Sequence, residues 1–184
     1  MKRILMFLLI IVLSGCTTVW KKSDSKEFVD KSSKFAVYLP EGWMYFPAPK
    51  NFGMTKDGVL LDNIFVEMIK FNKELSYTKK RFQSNMLVDE LAEVDIDNYQ
   101  SNGHLTHFEV LDNQVVTLDG KDAYRFVFRY QSSQGLKSKG IVCGVVYNDM
   151  LYRIVFIAAE QHYFSLYEKT FESFIQSFRF LQKE

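Results

Sequence analysis

Residues 163–180 read YFSLYEKTFESFIQSFRF, and their spacing decides the fold. Tyr163, Tyr167, Phe171, Phe174 and Phe178 recur at intervals of four, four, three and four, which places them on one stripe of an α-helix. The helix is expected over about Gln161 to Gln176, with Glu168 and Glu172 on its solvent side. Phe178 to Leu181 then reads as a last short strand.

Working back from this helix, the period falls to two. Lys137 to Tyr147 and Met150 to Ala158 flank Asn148-Asp149, and Phe108 to Leu118 turns at Asp119-Gly120 into Lys121 to Gln131. In the last of these, Tyr124, Phe126, Phe128 and Tyr130 face one way, and Arg125, Val127 and Arg129 the other. Further upstream, Val59 to Leu61 and Asn63 to Phe71 are expected strands. Ile64, Val66 and Met68 share one face while Phe65, Ile69 and Phe71 share the other. Apolar residues on both faces imply a sheet covered on both sides.

Phe35 to Leu39 alternates and ends at the turn Pro40-Glu41-Gly42-Trp43. A strand from Trp43 to Phe46 follows, stopped by Pro47 and Pro49. Between Thr78 and Asn102-Gly103 the apolar spacing of Phe82, Met86, Leu91 and Val94 suggests a first helix, with Thr78 as its N-cap. The expected architecture is therefore α+β: an α/β/α sandwich, with a mainly antiparallel sheet of about six or seven strands flanked by two principal helices. No repeat and no second linker is present, so residues 34–184 form one domain.

Ahead of that domain, residues 17–33 are polar and mixed in charge, with few apolar side chains to offset ordering entropy, and read as a flexible tether. Trp20 suits either a headgroup interface, with Lys21 and Lys22 attracted to anionic lipid, or a solvated position on a loose linker. The first residues are Lys2 and Arg3, then an apolar run from Ile4 to Leu13, then Ser14-Gly15-Cys16. The run is too short to span a bilayer, which takes roughly 20 residues, and its grammar is that of a secretory signal.

Leu13-Ser14-Gly15-Cys16 resembles the cleavage motif of bacterial lipoproteins. The resemblance implies removal of residues 1–15 and attachment of acyl chains, palmitate among them, at Cys16. Thr17 after the cysteine implies release to the outer membrane, facing the periplasm. In a single-membrane bacterium the same signal leaves the domain on the outer face of the cytoplasmic membrane. Several chains, at about 0.8 kcal/mol per buried methylene, make a durable anchor. A tether of residues 17–33 would span at most about 60 Å.

The Pro40-Glu41-Gly42-Trp43 turn, a long helix before a meander, and the ending from Phe171 to Phe180 together resemble the PsbP-like family over about residues 34–182. That family includes a photosystem extrinsic protein, a nuclear Ran-binding factor and many bacterial lipoproteins. The resemblance implies a sheet between helices. It does not imply an activity, since its members bind unrelated partners.

Charge and chemistry narrow the functional classes. Without Lys2 and Arg3 the 23 basic residues become 21 against 22 acidic ones, a balance that gives no support to nucleic-acid binding. Beyond Cys16 the one cysteine is Cys143, in an apolar strand with no neighbouring base, and reads as a structural thiol. His104-x-x-His107 lacks companion ligands at metal spacing. Asp95-x-Asp97-Asn98 hints at a calcium loop, but Gln100 stands where the glycine belongs and Thr106 where the bidentate glutamate belongs. Trp43, Tyr45, Phe46, Phe52 and Met54 either line an apolar pocket or pack the core at a proline-rich corner. No catalytic residue, metal or cofactor is expected. The reading is a lipid-anchored envelope protein acting as a non-enzymatic binding or assembly module. Its partners would be the membrane, through Cys16, and an envelope protein or polymer. A carrier of a small apolar ligand is the alternative, and a hydrolase with an unrecognised site ranks below both.

Overall fold

The computed structural model describes residues 20–48 and 51–182; Cys16 and the signal motif lie outside them. In chain order the elements are β1 (Lys21–Lys22), β2 (Glu27–Asp30), β3 (Phe35–Tyr38), β4 (Met44–Ala48), β5 (Asn51–Thr55), β6 (Asp62–Lys70), α1 (Val88–Gln100), β7 (Leu105–Leu118), β8 (Lys121–Ser132), β9 (Lys137–Tyr147), β10 (Met150–Ala159), α2 (Tyr163–Ser177) and β11 (Arg179–Phe180). Eight strands form one antiparallel sheet in the order β1-β4-β5-β6-β10-β9-β8-β7, and β11-β3-β2 form a small second sheet.

The central strands are where period-two alternation with large side chains on both faces puts them. Tyr124, Phe126 and Phe128 of β8 join Val142, Leu151 and Val155 under α1. Ala123, Val127, Ile141, Cys143, Ile154 and Phe156 face the other way, against α2 and the small sheet. From α2, Phe164, Phe171 and Phe174 are buried, and Phe171 stacks on Phe156 at 5.4 Å between ring centres. Phe164 takes the buried place expected of Tyr163, which is only half-buried at the rim. Glu172 is not free in solvent: its carboxylate accepts from Arg125 Nη2 at 2.7 Å, across the sheet edge.

Four expectations are corrected. Helix α1 begins at Val88, not Thr78. Residues 71–87 are an irregular cover in which Leu75 and Phe82 are buried singly and Glu74 bridges Arg81, so the spacing of Phe82 and Met86 imitates a helix that is absent. Thr78 Oγ1 accepts only from Lys80 N (3.3 Å), whereas the α1 terminus is closed by Glu90, whose carboxylate accepts from Leu87 N at 2.7 Å. Val59 to Leu61 is a turn, closed by the amides of Leu61 and Asp62, which both donate to Gly58 O.

Strand β4 passes through Pro47 and pairs with β5, which the prolines had concealed. Trp43 O accepts from Ser23 N, so residues of the same parity, Pro47 included, turn their backbone towards β1. Among the described residues β1 pairs no further along β4 than Tyr45, so no described strand bond needs the missing N–H of Pro47.

The fourth correction moves the start of the domain. Residues 20–33, assigned to a tether, include β1 and β2, paired with β4 and β3. Phe28 packs against Phe52 at 5.0 Å, and Ser33 O accepts the Tyr152 hydroxyl proton at 2.9 Å. One aromatic and backbone pairing to a preformed edge suffice to order a segment that is polar on average.

Two stability measurements check this account. A chain starting at Lys34 forfeits Phe28 and six strand pairings, two of β1 with β4 and four of β2 with β3, and should lose at least about 3 kcal/mol in urea melts against one starting at Trp20; equal midpoints would restore the tether boundary. Phe171→Ala/Phe174→Ala should leave the domain largely unfolded, since each truncation costs about 3–5 kcal/mol from a total of about 5–15.

Candidate functional site: an apolar groove closed by a buried ion pair

Helix α1 packs on β7 and β8 and leaves the β4-β5-β6 end of the same sheet face uncovered. There Trp20, Phe46, Gly53, Val59, Asn63, Phe65 and Glu67 bound a groove of about 380 Å³. Its floor exists because residue 53 is glycine: a Cβ at that position would sit 2.5 Å from the Phe46 ring. Trp20 packs edge-on against Phe46 at 4.8 Å and remains 37 % exposed.

One transverse row of the sheet leads out of the groove. It runs Asn51, Glu67, Arg153, Gly144 and Tyr124 across β5, β6, β10, β9 and β8. Glu67, 34 % exposed at the groove, accepts from Arg153 Nε at 3.0 Å and from its Nη2. Arg153 Nη1 donates to Asp95 of α1 at 2.6 Å, and Tyr124 donates its hydroxyl to the other Asp95 oxygen at 2.8 Å. The Tyr99 ring lies 5.5 Å from the guanidinium. Tyr124 reaches Asp95 only by lying across Gly144, where a Cβ would come within 2.0 Å of its ring.

The electrostatics follow from burial. Desolvation pushes the Asp95 carboxyl above the usual carboxylate range, with Arg153 and the Tyr124 hydroxyl pulling against it. Loss of water also raises the Tyr124 and Tyr99 phenols, so both stay protonated. Desolvation works against the charge on Arg153, but Asp95 outweighs it together with the other neighbours, and the guanidinium remains charged. Arg153, Asp95 and Tyr124 are engaged with one another, whereas Glu67 uses Oε2 for Arg153 and lies at the groove.

The five aromatic and methionine residues singled out from the sequence are divided by strand alternation. Phe46 lies in the groove. Trp43 and Tyr45 point to the α2 side, Trp43 against Tyr167 at 5.1 Å. Phe52 and Met54 border the groove but bury their side chains in the α2 core. His104 and His107 are exposed around the start of β7. Cys143 is buried, its thiol pushed up to about 12 by desolvation. Among the described residues no group of three His, Cys, Asp or Glu is placed to hold a metal.

The Glu67–Arg153–Asp95 row was missed, although its signal was present: Arg153 is the one charged residue within the apolar run Met150 to Ala159. An arginine there needs a buried acid. The helix residue on the stripe of Leu91 and Ala92 that supplies one is Asp95.

Two helices on a mainly antiparallel sheet, with this element order, define a PsbP- and Mog1-like fold. The chain belongs to the PsbP family, whose model matches residues 23–180. Similar solved structures include cyanobacterial PsbP (CyanoP) from Synechocystis sp. PCC 6803, at 14 % identity over 91 % of this chain and 98 % of that one, TM-score 0.60. The Ran-binding protein Mog1p of Saccharomyces cerevisiae matches at 10 % identity over 88 % and 97 %, TM-score 0.57. A Bacteroides thetaiotaomicron protein matches at 15 % identity over 88 % of this chain and 50 % of its own, TM-score 0.56. No curated protein sequence matches the chain. At these identities the structures share the fold alone.

The ion-paired row gives a direct test. Asp95→Ala strands a buried guanidinium and should cost about 3–5 kcal/mol in urea melts. Asp95→Ala/Arg153→Met, which removes both charges, should recover most of that loss. A double variant no more stable than the single one would show that the pairing is not what holds α1 to the sheet.

Proposed function

We propose that this protein is a lipid-anchored envelope protein whose PsbP-family domain is a non-enzymatic binding or assembly module. The observation that carries the reading is the groove beside Trp20. It is apolar, open on one side and bounded by a few polar groups, the usual form of a binding site. At its end Arg153, Asp95 and Tyr124 are paired with one another beneath the helix, and Glu67 alone of the cluster borders the groove. Trp20, which forms one wall, stands four residues after Cys16, so the groove lies where the anchor would join the domain. The anchor places the domain at the outer membrane, facing the periplasm, or on the outer face of the cytoplasmic membrane of a single-membrane host.

A second reading, a carrier of a small apolar ligand, is favoured by the same lining. Native mass spectrometry of the purified protein separates the two: a retained molecule of defined mass supports the carrier.

Metabolic labelling with a fatty acid tests the anchor. Wild type should be labelled and Cys16→Ser should not. Equal labelling of both would remove the anchor and the location with it. Chemical crosslinking in intact cells would then identify what the domain touches.

A further inference from the structure

The groove is one part of a larger surface whose chemistry is that of a membrane interface. The turn between β5 and β6 carries Val59, 51 % exposed, and Leu60, 78 % exposed. Val59 lines the groove together with Trp20 and Phe46, so three large apolar side chains share one exposed patch. The same turn begins at Lys56, which lines an adjacent hollow with Lys22, Ser23, Asp24, Glu41 and Gly42. Lys21 and Lys22 form β1, directly after Trp20, and both are exposed.

The local charge balance is positive. Asp24 is held by Lys26 at 2.9 Å, and Asp57 accepts the Tyr167 hydroxyl proton. A hydroxyl donor does not neutralise a carboxylate, so Lys21, Lys22 and Lys56 are opposed by Glu41 and Asp57, an excess of one positive charge. An indole, a phenyl ring and two aliphatic side chains bordered by lysines suit the boundary between acyl chains and anionic headgroups.

We infer that this surface, formed by Trp20, Phe46, Val59 and Leu60 with Lys21, Lys22 and Lys56, docks the domain onto an anionic lipid surface. The inference rests on the anchor reading and supplies the partner of the groove. The length of chain ahead of the domain argues for this occupant over a protein. From Cys16 to Trp20 the backbone reaches at most about 14 Å, so an acylated Cys16 holds the patch at headgroup depth. Apolar burial and attraction to anionic lipid add as they do for other interfacial elements.

The test uses the mature protein purified from membranes and set in nanodiscs of phosphatidylcholine, with or without phosphatidylglycerol. A fluorophore sensitive to polarity is placed on Leu60→Cys, and in a separate sample on Leu166→Cys. Leu166 is an exposed position of α2, on the opposite side of the sheet. Cys143 is buried and escapes labelling. Docking predicts a blue shift at position 60 in the anionic discs and none at position 166. Replacing Lys21, Lys22 and Lys56 by Gln should lower the docked-to-undocked ratio by roughly fivefold per lysine. No shift at 60, or equal shifts at 60 and 166, overturns the docked surface. So does a shift that appears only when a second envelope protein is added, which would assign the groove to a protein partner. Fatty-acid labelling of the same samples reports the anchor separately, so a labelled protein without the shift fails this inference and leaves the anchor standing.

Discussion

The guanidinium of Arg153 is the constraint around which one half of the molecule is built. It projects from the middle of β10 into the space beneath α1, where an unpaired charge would cost several kcal/mol. Two carboxylates answer it from different elements: Glu67 from the adjacent strand and Asp95 from the helix. Such pairing adds little net stability over an apolar core, but it strongly penalises misplacement. Rotating α1 by one residue would swing Asp95 off the guanidinium and leave both charges unmatched. The ion pair therefore sets the helix's register on the sheet, while Leu91 and Ala92 supply apolar contact.

Room for this arrangement comes from what the sheet omits. Gly140 and Gly144 on β9 leave depressions into which the rings of Phe128 and Tyr124 lie flat, with separations no Cβ would allow. The aromatic layer is lowered, and Tyr124 gains its reach to Asp95. The other face is built differently. There α2 and the small sheet meet the strands through stacked phenylalanines, Phe35 on Phe178 and Phe156 on Phe171, and the Arg125–Glu172 pair joins helix to sheet only at the half-exposed margin. Helix α1 spans only the β7-β8 side of its face, so the far end stays open and becomes the groove.

How much of this was legible in the sequence depends on how local its cause is. Strands β8 to β10 and helix α2 were readable because their side chains repeat at a strict period and both faces are apolar. Strands β1 and β2 were not, since Lys21, Lys22 and Glu27 to Asp30 carry one large aromatic among charges. Their order comes from edges formed by residues far along the chain. The irregular cover around Phe82 was misread for the opposite reason: two buried anchors fell at helical spacing by coincidence. Phe46 borders the groove. Trp43 and Tyr45 were not separable from it without knowing which face each parity of β4 would take.

The earlier start of the domain changes what the proposed anchor can do. A tether through residue 33 would let the domain range about 60 Å from the bilayer. With β1 beginning at Lys21, only residues 17–19 separate an acylated Cys16 from Trp20, and the reach falls to about 14 Å. That is less than the breadth of an eight-stranded sheet, whose strands lie about 4.8 Å apart. A domain anchored this closely would range little and would present one fixed end to the lipid. The same short link would lower the entropy lost on the proposed docking, because orientation would already be restricted before the patch of Trp20, Val59 and Leu60 met the headgroups. With such an anchor the opposite end of the sheet, bordered by β7, would be the part held farthest from the bilayer.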